Sequence, residues 1–153
     1  MKKIDAKLFT TLRQDGRIPL TQLSRKTGFP VSTLHERLKQ HVKQGNLRPS
    51  VLVNFQHLGY NTRAQVLLSV EPQDKDTLFE YMRKHQNVNS LYRINNGWNI
   101  LAECVFRNMH EMENFLENLE SKHKIKQKQV HYILDEIKRE DFLTKPDYLD
   151  VKL

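Results

Sequence analysis

The sequence predicts an α+β protein, an N-terminal winged helix-turn-helix followed by a ferredoxin-like βαββαβ sandwich. Three observations carry this. Up to Gly45, apolar residues recur at helical spacing and are punctuated by Gly16 and Gly28. Beyond Tyr60, β-rich runs alternate with two helical patterns. Charge is divided unevenly: residues 1–60 hold 11 Lys and Arg against 3 Asp and Glu, a net of +8, while the remainder carries −1. The organisation expected is a basic helical unit over 1–60 that ends in a strand, a near-neutral βαββαβ unit over 61–138, and a tail over 139–153.

Taken in order, Ile4, Leu8, Phe9 and Leu12 share one face of a first helix that Asp5 helps start and Gly16 ends. Pro19 and Thr21 open a short second helix carrying Leu20 and Leu23, closed by Gly28. A third begins near Pro30, a residue suited to the first helical position, and buries Val31, Leu34, Leu38 and Val42 before Gly45 stops it. Leu47 to Asn54 reads as a strand, the wing, with Arg48 near its start.

After the Leu58-Gly59-Tyr60 junction, Ala64 to Val70 reads as a strand, and Asp74 caps a helix with Leu78, Phe79, Met82 and His85 on one side. Val88 to Asn95 and Trp98 to Phe106 form two strands joined through Asn96-Gly97, a hairpin signal. Asn108 caps a helix carrying Met109, Met112, Leu116 and Leu119, and Gln129 to Ile137 makes the last strand. Alternation puts Val66, Leu68, Val70, Tyr92, Ile94, Trp98, Ile100, Ala102, Cys104, Phe106, Val130, Tyr132 and Leu134 on one sheet face. The other face mixes Leu67, Leu91, Leu101, Val105 and Ile133 with Gln65, Arg93, Asn99, Glu103 and His131. A face half apolar predicts packing against a second copy, hence a homo-oligomer.

Composition excludes several classes. One cysteine, Cys104, cannot staple a secreted scaffold and is expected as a small core residue in a reducing compartment. No 18-residue apolar stretch occurs and Met1 is followed by Lys-Lys-Ile-Asp, so a soluble cytoplasmic protein without a membrane partner is expected. The 5 glycines are too scattered to cradle a phosphate, and the 7 histidines form no HExxH. Cys104 lacks a CxxC partner, so no metal and no cofactor is anticipated. His110 with Glu111 and Glu113 reads as acids complementing a helix start.

The excess positive charge points to a polyanion, and the helix pattern makes that polyanion double-stranded DNA. Ser32, Thr33, His35, Glu36 and Arg37 lie off the apolar stripe near the start of the third helix and are the expected base readers, Arg37 being equally suited to phosphate. Arg25, Lys26, Lys39, Lys43 and Arg48 are expected on the DNA backbone.

With both halves placed, the chain resembles the leucine-responsive regulator/asparagine-synthase regulator (Lrp/AsnC) family of transcription factors over roughly residues 3–138. Ile4-Asp5-Ala6-Lys7-Leu8 with Asp15-Gly16-Arg17 is similar to the family's first helix and turn. Leu23-Ser24, Gly28-Phe29, Leu34, Arg37-Leu38, Gly45 and Leu47 match its helix-turn-helix, and Asn54 through Leu58-Gly59-Tyr60 its hinge. The resemblance implies a transcriptional regulator with a domain for the regulation of amino-acid metabolism, assembling as a dimer or octamer and taking an amino acid or other small-molecule effector at the turn between the strands Val88 to Asn95 and Trp98 to Phe106. That turn reads Asn95-Asn96-Gly97-Trp98-Asn99, which keeps the family's aromatic residue but has no acid to meet an α-ammonium. Pro30 stands where a capping Ser is usual, and His41-Val42 where Leu-Glu is usual.

Two alternatives stay open at this stage. Tetrapyrrole (sirohaem-type) decarboxylases share the two-domain layout, and Asn89-Ser90-Leu91-Tyr92-Arg93 before Trp98-Asn99 is loosely similar to theirs, with His131 available. A co-assembling architectural or antagonist protein would use the same paired sheet with little operator selectivity. The basic N-terminal unit favours the regulator, which is not an enzyme. The tail mixes Phe142, Leu143, Tyr148 and Leu149 with charges and is expected against a neighbouring subunit.

Overall fold

The computed structural model describes residues 1–145. Two compact units form, one from Met1–Leu52 with the described chain from Ile137 to Lys145, the other from Val53–Glu136. Tyr148 and Leu149 of the expected tail lie outside the described residues.

The first unit holds three helices, α1 (Lys3–Gln14), α2 (Leu20–Thr27) and α3 (Val31–Lys43). Leu8, Leu23 and Leu34, one from each helix, are fully buried, Ile18 is largely buried beside them, and Ile4, Phe9, Leu12, Leu20 and Phe29 pack around them. Full burial of such a side chain contributes about 1.5–3 kcal/mol, so three short helices of marginal intrinsic stability hold one another in place. Gly28 closes α2 at φ 79°, a left-handed position where a Cβ would be strained. Lys7 Nζ donates to the Thr27 carbonyl at 3.0 Å, satisfying an orphan acceptor at the end of α2.

Several expectations are corrected here. Val31 and Val42 are exposed at 39% and 41%, and the third position of the buried stripe of α3 is His41 instead. The spacing Leu34, Leu38, His41 keeps the face on one side of the helix, so the buried stripe rotates away from both valines. Pro30 sits one residue before α3, as its N-cap, rather than at its first position. Leu47 to Asn54 forms no strand; a strand needs a neighbouring strand to satisfy its backbone, and among the described residues this segment pairs with none. Val51 and Leu52 are 72% and 64% exposed there.

The second unit is a four-stranded antiparallel sheet in the order β2-β3-β1-β4, built from β1 (Thr62–Val70), β2 (Val88–Arg93), β3 (Ile100–Phe106) and β4 (Ile125–Tyr132). Helices α4 (Lys75–Lys84) and α5 (Met109–Lys122) join the core on one face. Ala64, Val66 and Leu68 of β1, Ile100, Ala102 and Cys104 of β3, Leu78 and Met82 of α4, and Met112 and Leu119 of α5 are fully buried. The order βαββαβ is the expected ferredoxin-like arrangement, and Asn108 caps α5 by accepting from the Glu111 N–H at 2.9 Å.

Strand ends move by a few residues. β4 begins at Ile125 and ends at Tyr132, not Gln129 to Ile137, because its Lys- and Gln-rich start lacks apolar periodicity yet pairs with Val70 through Leu67. A register shift between Val88 and Ser90 turns Leu91 toward Ala102 and the core, and sends Tyr92, 55% exposed, to the open face, so the two exchange their expected faces. Asp74 belongs to a 3₁₀ turn, Pro72–Asp74, and its side chain makes no cap; Thr77 Oγ1 donates to its carbonyl instead. Both edges of the sheet are guarded, β2 by its bulge and β4 by Lys126 and Lys128, paired to Glu71 at 3.1 Å and Glu120 at 2.6 Å.

Candidate nucleic-acid interface

The candidate interface is the face of α3 opposite Leu34 and His41. Ser32, Thr33, His35, Glu36, Lys39, Gln40 and Lys43 are all exposed on it. Arg25 and Lys26 end α2 and Arg48 follows α3, all three exposed. His35 Nδ1 and Glu36 Oε1 lie 3.5 Å apart in solvent. Pro30 offers no capping side chain, so no side chain occupies the first N–H groups of α3.

Arg37 departs from its expected place among the base readers. Its guanidinium turns inward from α3 to α1 and takes both oxygens of the Asp5 carboxylate, the Nε bond being 2.8 Å. Nη1 donates to Gln40 Oε1 at 3.0 Å. His41 completes the cluster, with Nε2 2.9 Å from Asp5 Oδ1 and Nδ1 3.2 Å from Asn46 Nδ2. The Asn46 amide nitrogen can only donate, so Nδ1 accepts, and Nε2 carries the proton given to Asp5. Burial pushes the Asp5 carboxyl up, but the bonds from Arg37 and His41 outweigh it and hold the group below the usual carboxylate value. Sequence reading missed this network: Asp5 looked like a helix-start acid, and His41 like a departure from Leu with no partner in view.

In the sheet unit, the turn Asn95-Asn96-Gly97-Trp98-Asn99 joins β2 to β3 with Asn96 at φ 60° and Gly97 at φ 85°, the paired left-handed conformation that Asn-Gly favours. Asn95, Asn96 and Gly97 are exposed and Trp98 is half-buried. Asn99 is structural: its N–H donates to the Leu68 carbonyl at 2.9 Å and its Oδ1 accepts from the Val70 N–H at 2.7 Å, tying the turn to β1.

The polar residues weighed for an enzymatic site do not converge. Glu103 accepts from Arg63 Nε at 2.9 Å and Asn89 at 3.2 Å. Arg63 also bonds Glu136, while its guanidinium sits 5.9 Å from the Phe55 ring. Arg93 lies over Phe79 at 4.2 Å and reaches Asp76 at 3.4 Å, and His131 is exposed opposite Gln65. Among the described residues no group of three or more His, Cys, Asp or Glu is placed to hold a metal ion. No helix among them is long and apolar enough to cross a membrane. An open groove of about 850 Å³, lined by Phe55, Tyr60, His85, Asn87, Arg107 and Phe115 among others, has no counterpart in the sequence reading, since its walls come from four separate stretches.

A basic three-helix unit with a polar outward helix, joined to a βαββαβ sheet with an Asn-Gly-Trp turn, is the architecture of a helix-turn-helix regulator with an appended ferredoxin-like domain. Residues 63–142 match the model of the Lrp/AsnC ligand binding domain, and residues 1–45 match a winged helix-turn-helix DNA-binding model. The HTH-type transcriptional regulator FL11 of Pyrococcus furiosus is 30% identical over 115 residues, 74% of this chain and 76% of that protein. Among solved structures, the transcriptional regulator NMB0573 of Neisseria meningitidis, determined with L-Met, superposes at TM-score 0.83 with 24% identity, covering 91% of this chain and 93% of that one. LrpC of B. subtilis superposes at 0.81 with 22% identity, covering 90% and 97%. The chain belongs to the Lrp/AsnC family of transcriptional regulators. Its relatives carry regulator names, which give the decarboxylase reading no support.

Proposed function

We propose that this regulator reads duplex DNA with α3 and does so as a dimer or a larger closed assembly. Ser32, Thr33, His35 and Glu36 meet base edges, while Arg25, Lys26, Lys39, Lys43 and Arg48 engage phosphates. Arg37 acts through Asp5, holding α3 on α1 rather than touching a base. The observation that carries this reading is the exposure of every polar residue of that face while Arg37 alone of the named set turns inward. The uncapped start of α3 adds N–H groups suited to a phosphate oxygen.

Two recognition helices related by a two-fold axis reach half-sites about 34 Å apart or a multiple of it. Neutralising about six to ten phosphates gives a slope of log affinity on log salt of roughly −5 to −9. Binding measured on a random-sequence duplex pool across a salt series checks this, and salt-insensitive or undetectable binding overturns it. Lys43→Ala weakens all sequences alike and lowers the slope by about one. The sheet unit takes a small effector at Asn95, Asn96, Gly97 and Trp98, recognised by amide hydrogen bonds and stacking, with Asn99 holding the turn in shape. The absence of an acid in this turn favours a ligand contacted without an ammonium-carboxylate pair.

A further inference from the structure

The chain leaves the helical unit at Leu52–Val53 and returns to it after Glu136. A DNA-reading unit held by one linker explores all orientations that linker allows. Here the returning chain is fastened to α1. Arg13 Nε donates to the Phe142 carbonyl at 3.0 Å, Nη1 to Glu140 Oε2 at 3.1 Å, and Nη2 to both the carbonyl and the carboxylate of Glu140. Gln14 Nε2 donates to the Thr144 carbonyl at 2.6 Å. The returning segment is folded to present these acceptors. Glu140 and Leu143 stand at φ 53° and 63°, left-handed positions that non-glycine residues keep only where their surroundings dictate it. Asp141 closes the turn, accepting from Thr144 Oγ1 at 2.9 Å and pairing with Lys138 at 2.7 Å.

We propose that Arg13 is a positioning residue for operator binding: by clasping residues 140–142 to α1 it gives the helix-turn-helix a second tether and restricts how α3 is presented. This rests on the DNA reading above. Orientational freedom costs nothing when one half-site is bound, but it dilutes the effective concentration of the second recognition helix at the second half-site. A planar guanidinium is suited to the task because its fork meets two carbonyls and a carboxylate at once.

The test compares wild type with Arg13→Ala on a duplex selected by the wild-type protein from a random-sequence pool, and on the same duplex with one half scrambled. The expected loss is about 3–10-fold on the intact duplex and none on the scrambled one, with Arg13→Lys in between. Limited trypsin digestion supplies a readout without DNA: cleavage after Lys138 and Arg139 should accelerate several-fold in Arg13→Ala. Unchanged cleavage overturns the clasp. Faster cleavage with unchanged binding, or an equal loss on both duplexes, overturns the positioning role. If the wild type binds neither duplex, the DNA reading fails and the positioning role with it, while the digestion still decides the clasp.

Discussion

At the scale of single residues, the helical unit turns on Asp5. Its carboxylate is 7% exposed and holds Arg37, 21% exposed, and His41, 10% exposed. Removing one partner of a buried pair costs about 3–5 kcal/mol because the other charge is left without compensation; Arg37 is partly open to water, so the lower end applies. Asp5→Ala should therefore cost about 3 kcal/mol in denaturant unfolding of the full chain, whereas Lys39→Ala should change little. The sign with pH follows from the depressed folded value. Stability from Asp5 is fully present above its unfolded pKa, near 3.9, and is lost as pH falls through the lower folded value. Acid unfolding of Asp5→Asn should show a weaker pH dependence below pH 4 than wild type. The sequence displayed Asp5, Arg37 and His41 but not their convergence, which depends on α1 and α3 crossing at those positions and on nothing periodic in either.

At the scale of elements, helix starts and stops were legible wherever glycine or a capping side chain enforces them, as at Gly28, Gly45 and Asn108. They were least legible in β4, whose exposed Lys and Gln residues are strand only because β1 pairs with them. The bulge after Val88 was equally invisible, since alternation assumes an unbroken register. Between α4 and α5, Tyr81, His85, Phe115 and His123 form a continuous aromatic seam with ring centroids 4.7–5.7 Å apart. Burial, then the charge of Lys122, lowers the pKa of His85; burial lowers that of His123, with Asp74 opposing and Lys122 adding. A histidine held neutral in the fold contributes stability above its unfolded pKa, near 6.5, and loses it as pH drops toward the folded value. The sheet unit should thus weaken below about pH 6.5, and His85→Phe should flatten that dependence in pH-jump denaturation. Trp98, the single tryptophan, gives the β2–β3 turn its own signal. Amino-acid titrations followed by its fluorescence should report effector binding, and a silent response to every candidate would remove the turn from the effector site.

At the scale of the whole molecule, the excess positive charge lies within residues 1–60, the stretch that contains the match to a winged helix-turn-helix model, while the near-neutral remainder contains most of the match to the Lrp/AsnC ligand binding domain. The open sheet face carries Leu67, Leu101, Ile133 and the exposed Tyr92, together with the Arg63–Glu103 pair. Apolar area of that kind on the sheet face turned away from α4 and α5 is expected to meet a second copy. Light scattering at micromolar concentration should give a dimer or a larger even-numbered species; a monomer would contradict the proposed reading of paired half-sites. What the sequence could not supply was the route of the returning chain, since residues 139–145 carry no periodicity and their destination on α1 is set by hydrogen bonds to carbonyls.

The guarded edges of the sheet bear on how such an assembly grows. Strand addition is the open-ended route by which β proteins become fibres, because each new strand exposes another edge like the last. The lysines of β4 and the bulge of β2 discourage that route at both ends, leaving the stickiness of this domain on a face. Face-to-face contact between identical subunits consumes the surface that makes it, so the proposed association would close on itself rather than grow without end.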